Sequence, residues 1–172
     1  MNLAYRTTQF FRTMVAKIRP QDPTLVEANL TPPLAELFWQ MSSADQAHGL
    51  RVLQNLIAQG EKDSVLLAAA LLHDVGKIRF SLRVWERVLI VLSNWLIPDI
   101  ALRWGAGEPV GWQRPFVIAT HHPAWGAEIL SKTGGSEDLI ELVRRHQEPL
   151  SLGSQTKIER WLRRLQEIDG MN

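Results

Sequence analysis

The sequence predicts an all-α protein, a single-domain helical bundle. Three observations carry that prediction. Apolar residues recur at helical spacing in nearly every segment, and no run shows the strict apolar/polar alternation of a half-buried strand. The 172 residues, 45% of them hydrophobic, suffice for one compact core and leave little room for a second. Within that unit, residues 1–41 are expected to form N-terminal helices packed on a core domain at 42–172.

Each element follows from local signals. An amphipathic first helix is predicted over residues 3–18. The Pro20–Pro33 segment reads as an extended connection, and Pro32 and Pro33 suit the opening turn of a helix at 33–41. Ser42 or Ser43 is placed to cap the next helix, which runs to Gln59, holds His48 and ends at Gly60. Ser64 can cap an apolar helix over 65–75, with Gly76 as its stop. A long helix around 81–97 and a short one after Pro98 come next. The greasy part of the long helix, Val88–Ile97, is interrupted by Ser93 and Asn94. It falls well short of the ~20 residues that span a bilayer and reads as a core helix. The Gly/Pro-rich stretch Gly105–Pro115 is expected to be a mobile loop or lid. Helices near 115–121, 123–132, 136–147 and 154–169 complete the chain. Pro123, the Thr133–Ser136 turn and Glu148–Ser154 separate them, and Ser136 and Ser154 serve as caps.

Composition narrows the chemistry. With 19 basic and 18 acidic residues the formal charge is +1, which supplies no overall drive toward nucleic acid or anionic lipid. No basic and aromatic stripe is present, so nucleic acid is not an expected partner. The chain has no cysteine, which excludes disulfides and thiolate metal sites; a metal here must be held by His and carboxylate ligands. The N-terminal Met1–Arg19 is amphipathic and lacks the pattern of a secretory signal, so cytoplasmic residence is expected. Tryptophans at 85, 95 and 104 keep open a protein or membrane-surface contact through the 85–104 segment.

His73 and Asp74 follow Val65–Leu72, eight residues without a polar side chain. Burying an imidazole and a carboxylate there requires a partner. A metal ion would satisfy both, and a His–Asp hydrogen bond closing the helix is the alternative. Periodicity brings further candidates inward. His146 lies two turns beyond Leu139, on the apolar stripe of its helix. Asp169 returns to within ~20° of Ile158 on the buried face of the last helix, although a solvated residue four from the end is the competing reading. His48 stands at the border between a polar stripe of Ala44, Arg51 and Asn55 and an apolar one. His121 and His122 are ~100° apart on a helix and cannot serve one site equally.

These residues carry a resemblance. Leu71-Leu72-His73-Asp74-Val75-Gly76-Lys77 is similar to the "LLHDIGK" signature of the HD-domain superfamily of metal-dependent phosphohydrolases. His122-Pro123-Ala124-Trp125-Gly126-Ala127-Glu128-Ile129-Leu130 resembles the HPxxGxxIL segment of its HDIG and HD-GYP branch, and Val143–Glu148 resembles that branch's V-x-x-H-H-E. The resemblance implies His48, His73, Asp74 and Asp169 as ligands of a first metal. It implies His122 and His146 for a second, with Asp74 bridging. One or two divalent transition ions are then expected, Mn, Fe, Co, Ni or Zn, with Mg a further option.

The implied activity is metal-assisted hydrolysis of a small-molecule phosphate ester, a nucleotide or a relative of one. Asp74 and Lys77 are the candidate catalytic residues, Lys77 to neutralise phosphate oxygens. Arg144, Arg145 and His121 are candidates for binding substrate, and Asp45 and Glu148 for orienting imidazoles. The alternative function is a catalytically silent HD module that binds a nucleotide or a partner protein.

The pattern also departs from the branch. The Gly-Tyr-Pro portion is absent after Glu148, Gln147 stands where the branch has a second His, and Ala44 stands where some members carry a Glu. Cyclic di-GMP cleavage and a trinuclear site are therefore not expected. The insert between Lys77 and His122 is expected to shape the pocket.

Overall fold

A computed structural model describes residues 23–150 and 156–171, apart from the side chains of Asn94 and Trp95. Every helix and strand assignment among the described residues is helical. The predicted helix 3–18 and the Ser154 cap lie outside them. The helices are α1 (Pro23–Glu27), α2 (Pro32–Gln40), α3 (Ser43–Ala58), α4 (Ser64–Leu72), α5 (Val84–Leu96), α6 (Pro98–Trp104), α7 (Arg114–Lys132), α8 (Glu137–Arg145) and α9 (Lys157–Met171). Two short 3-10 turns, Val75–Ile78 and Gly111–Gln113, join them.

The apolar run at 65–72 determines the architecture. A helix that is hydrophobic all round must be enclosed on every side, and Leu66–Leu72 are all buried as α4 packs against α3, α8 and α9. Phe38, Leu53, Leu56, Leu142, Leu162, Leu165 and Ile168 complete that core, and Val26 and Leu34 bring α1 and α2 onto it. Gly49 lets α3 approach closely, since a Cβ there would stand 2.9 Å from the Leu71 carbonyl oxygen.

Several boundaries differ from the sequence expectation for identifiable reasons. The Pro20–Pro33 connection contains a helical turn, α1, because Val26 has a core site to fill. Asp63, not Ser64, caps α4, its carboxylate accepting from the Val65 and Leu66 amides. Gly60 ends α3 with φ +86°, as its position predicts. Gly76 is not a left-handed stop. Instead it is a point of contact, because a Cβ there would lie 2.0 Å from the His122 carbonyl oxygen and 2.6 Å from the Gly126 nitrogen. The chain thus turns at His73–Ile78 with its backbone against α7.

The two helices predicted around Pro123 are one, α7, with Pro123 buried inside it. Proline costs that helix a backbone hydrogen bond, and contacts with α8, with the 75–78 turn and with α5 and α6 hold it continuous. The 105–115 stretch is punctuated by the 3-10 turn, and Trp104 packs edge-on against Trp112 and Phe116.

The largest correction concerns α5. Val91, Leu92 and Leu96 are exposed, so the 88–97 stretch is not a core helix. Among the described side chains of α5, the buried ones are Glu86 and Ser93. Periodicity identified an amphipathic helix but could not say which face the protein covers.

Candidate metal centre

Six side chains from five segments converge beneath the C-terminal end of α4. His48 comes from α3, His73 and Asp74 from the turn after α4, His122 from α7, His146 from the end of α8 and Asp169 from the last turn of α9. They form two trios: His48, His73 and Asp169; and Asp74, His122 and His146. In each trio the candidate ligand atoms lie within 4.8 Å of one another.

The helices that deliver the imidazoles also orient them. His73 and His146 stand at the C-caps of α4 and α8, where the last carbonyls lack a full set of backbone donors. His73 Nδ1 donates to the Ala70 carbonyl at 3.0 Å, and His146 Nδ1 to that of Val143 at 2.8 Å. His122 Nδ1 donates to Ile118 at 3.0 Å. A carbonyl only accepts, so each ring carries its proton on Nδ1 and turns the Nε2 lone pair toward its neighbours.

Those lone pairs face one another and a carboxylate. His122 Nε2 lies 3.2 Å from His146 Nε2 and 3.1 Å from Asp74 Oδ1. His73 Nε2 is buried without a hydrogen bond, 3.7 Å from both Asp74 Oδ2 and Asp169 Oδ1. A buried acceptor-rich cluster of this kind is stabilised by a cation among its lone pairs. His and carboxylate donors at these spacings suit a divalent cation, whose ligands sit roughly 2.0–2.2 Å from it. The donor set therefore fits the metal that the sequence predicts.

The electrostatics agree. Burial, reinforced by His73 and His122, pushes His146 down to about 3, and burial with the nearby Lys77 lowers His122. Both rings are neutral at pH 7, the form that binds metal. Burial pushes the Asp74 carboxyl up, but Lys77 and His73 more than reverse it and hold it well below the usual carboxylate range. Asp169 is likewise raised by burial and lowered further, to about 2, by its His48 hydrogen bond and by His73.

Asp74 occupies the junction. One oxygen faces His122, and the other faces His73 and accepts from Lys77 Nζ at 2.6 Å. His48 and Asp169, bonded at 2.7 Å, are the more open edge, with side-chain exposures of 23% and 35% against 1–7% for His73, Asp74 and His122.

The remaining predicted residues have partners of their own. Arg144 is exposed and pairs with Glu141, while Arg145 bonds Glu159 at 2.6 Å and Glu148 at 3.0 Å. His121 stacks on Trp125, which meets Phe80. Asp45 and Glu148 do not orient imidazoles: Asp45 bonds Ser42 and Arg87, Glu148 bonds Arg145, helix carbonyls hold His73, His122 and His146, and Asp169 holds His48.

Arg87 is the neighbour that sequence reasoning missed. It reaches from the insert helix α5 to grip buried Asp45, one turn before His48, through two hydrogen bonds of 2.8 and 2.9 Å. Burial raises the Asp45 carboxyl, and the Arg87 hydrogen bonds with the field of Lys77 bring it below its ordinary value. Only the polar face of α5 hinted at such a role, because the partners are 42 residues apart.

A family model described as HD domain matches residues 46–169, from just before His48 to Asp169 itself. Comparison with curated proteins and with solved structures gave no match. With most of its length covered by that model, and the His-Asp pair at the centre of a His/Asp cluster, the chain belongs to the HD-domain family.

Proposed function

We propose that this protein is a metal-dependent phosphohydrolase acting on a nucleotide or related phosphate mono- or diester. The observation that carries the reading is the lone-pair cluster of His122, His146, His73 and Asp74, which a divalent cation would satisfy. In this reading His48, His73, Asp74 and Asp169 hold one divalent ion. His122 and His146 hold a second, with Asp74 shared. Such ions supply Lewis acidity, which lowers the pKa of a coordinated water and neutralises charge on phosphoryl oxygens.

The chain's own residues do the rest. The three Nδ1–carbonyl bonds fix the imidazoles before any ligand arrives, so no reorganisation is needed on binding. Lys77, held by Asp74 and partly exposed, places an ammonium at the edge of the cluster to meet non-bridging phosphate oxygens. Substrate enters over the His48–Asp169 edge, the more exposed side of the cluster. The Arg87–Asp45 pair braces the turn of α3 that carries His48. Arg144, Arg145 and His121 are assigned no role in this scheme.

The test is turnover of bis(p-nitrophenyl) phosphate and a nucleotide panel, with each candidate metal supplied, beside an Asp74→Ala control. Metal-stimulated turnover that Asp74→Ala abolishes is expected. Full metal occupancy without turnover on any substrate would instead identify a silent binding module.

A further inference from the structure

The 3-10 hydrogen bonding that follows Asp74 runs on beyond the metal ligands. The Lys77 amide donates to the Asp74 carbonyl at 3.0 Å, and the Phe80 amide donates to that of Lys77 at 3.2 Å. Side chains three apart in such a turn eclipse one another, at ~6 Å intervals from a rise of about 2.0 Å per residue. Asp74, Lys77 and Phe80 therefore stand in one row. Helix α7 sets a second row beside it. His122 faces Asp74 at 3.1 Å, and Trp125, about one turn on, meets Phe80 with ring centroids 5.2 Å apart. His121 and Trp125 fall within about 40° of each other round α7, and their rings stack with 24° between planes and centroids 5.8 Å apart. Phe80, His121 and Trp125 are all half-buried, as is Lys77. The other paired tryptophans among the described residues are rooted in the core: Phe38 anchors Trp39, and Phe116 anchors Trp104, which meets Trp112. The Phe80–Trp125–His121 wall has no buried member, so core packing does not account for it.

We propose that Phe80, Trp125 and His121 form the platform on which the base of a nucleotide substrate stacks, one turn of chain past Lys77. Every nucleobase has a π face, and aromatic side chains hold it by stacking without reading its hydrogen-bonding edge. The order of the row sets the order of the substrate. Its phosphoryl group lies at Asp74 and the other candidate ligands, Lys77 meets the phosphate charge, and the base lies beyond, against Phe80 and Trp125. The substrate class is thus a nucleotide whose scissile phosphate is attached to its own nucleoside, and a base-free sugar phosphate is the compound it discriminates against. This deepens the hydrolytic reading and rests on it for the place of the phosphate; the stacking itself requires no turnover.

The test is equilibrium dialysis of the full chain, as purified and with added Mn, against AMP and against ribose 5-phosphate, which differ only in the base. Where a ligand is hydrolysed, kcat/KM takes the place of affinity. Wild type should prefer AMP at least about tenfold, the discrimination that one base–aromatic stack supplies. Trp125→Leu and Phe80→Leu should each cut that preference several-fold or more while keeping native helicity by circular dichroism. Phe80 lies outside the α-helices, so a folding failure of Trp125→Leu leaves the other variant informative. Equal affinity of wild type for the two ligands overturns the proposal, as does failure to bind either, or a preference that the folded variants retain. The two readings fail separately. A base preference that the variants lose, without turnover of any nucleotide, upholds the platform and removes the hydrolase; turnover of bis(p-nitrophenyl) phosphate without a base preference does the reverse.

Discussion

His122 Nε2 and His146 Nε2 face each other across 3.2 Å, each ring donating its Nδ1–H to a helix carbonyl. Two lone pairs so placed in a buried site repel unless a cation stands between them and Asp74. From this contact we predict that His146→Ala lowers affinity for one of two bound ions by at least about 100-fold, the upper end of what loss of a supporting partner costs. Competition with a chelating dye measures it, and a variant that still binds two ions as tightly as wild type would remove His146 from the ligand set.

Lys77 bonds Asp74 and sits at the rim of the cluster. Lys77→Met is expected to lower kcat by roughly 100-fold, the magnitude seen on removing one preorganised donor to a developing oxyanion. Metal content should remain at the wild-type level. Loss of metal together with activity would show that Lys77 acts by holding Asp74 instead of meeting substrate.

Arg87→Met would leave Asp45 buried and charged without its guanidinium. Breaking a buried pair costs about 3–5 kcal/mol, and the lower end is expected because Arg87 keeps 19% of its side chain exposed. Urea unfolding monitored by circular dichroism gives the number. A loss within about 0.5 kcal/mol, ordinary for surface changes, would show the pair to be incidental.

The same pair predicts an acid dependence. The folded value of Asp45 lies below its unfolded value, so its stabilisation is fully present above the unfolded value, near pH 4, and is lost as pH falls through the folded one. The stability gap between wild type and Asp45→Asn should therefore be widest at neutral pH and close below pH 4. A gap that widens on acidification would reverse the assigned sign.

Gly76→Ala tests the backbone contact between the turn and α7. With 2.0 Å available to a Cβ against the His122 carbonyl oxygen, the segments must separate. A loss of about 3 kcal/mol, the upper range for overpacking, is expected in urea unfolding, together with weakened metal binding because the turn carries His73 and Asp74. Unchanged stability would mean that the close approach is relaxed in solution.

Much of this was legible in the sequence because it is local. The enclosed helix α4 follows from eight consecutive apolar residues, and the inward turn of His146 follows from helical period, which left Asp169 open between the buried face and a solvated end. The gathering of His48 and His122 with them rested on the family resemblance, since no periodicity relates residues on different helices. What stayed hidden depends on tertiary partners. Arg87 finds Asp45 across 42 residues, Gly76 serves an inter-segment contact that its usual role as a helix stop obscures, and Pro123 stays helical because its neighbours hold it there. The face of α5 was misread for the same reason: amphipathicity fixes two faces, and only packing decides which one is covered.

The measurement that bears most directly on the metal centre is elemental analysis of the purified full chain after dialysis, followed by titration of the metal-free protein with Mn, Fe, Co, Ni and Zn. The expected result is two divalent ions per chain, with Asp74→Ala losing both. A natively helical chain that carries no metal and binds none of the five would contradict it.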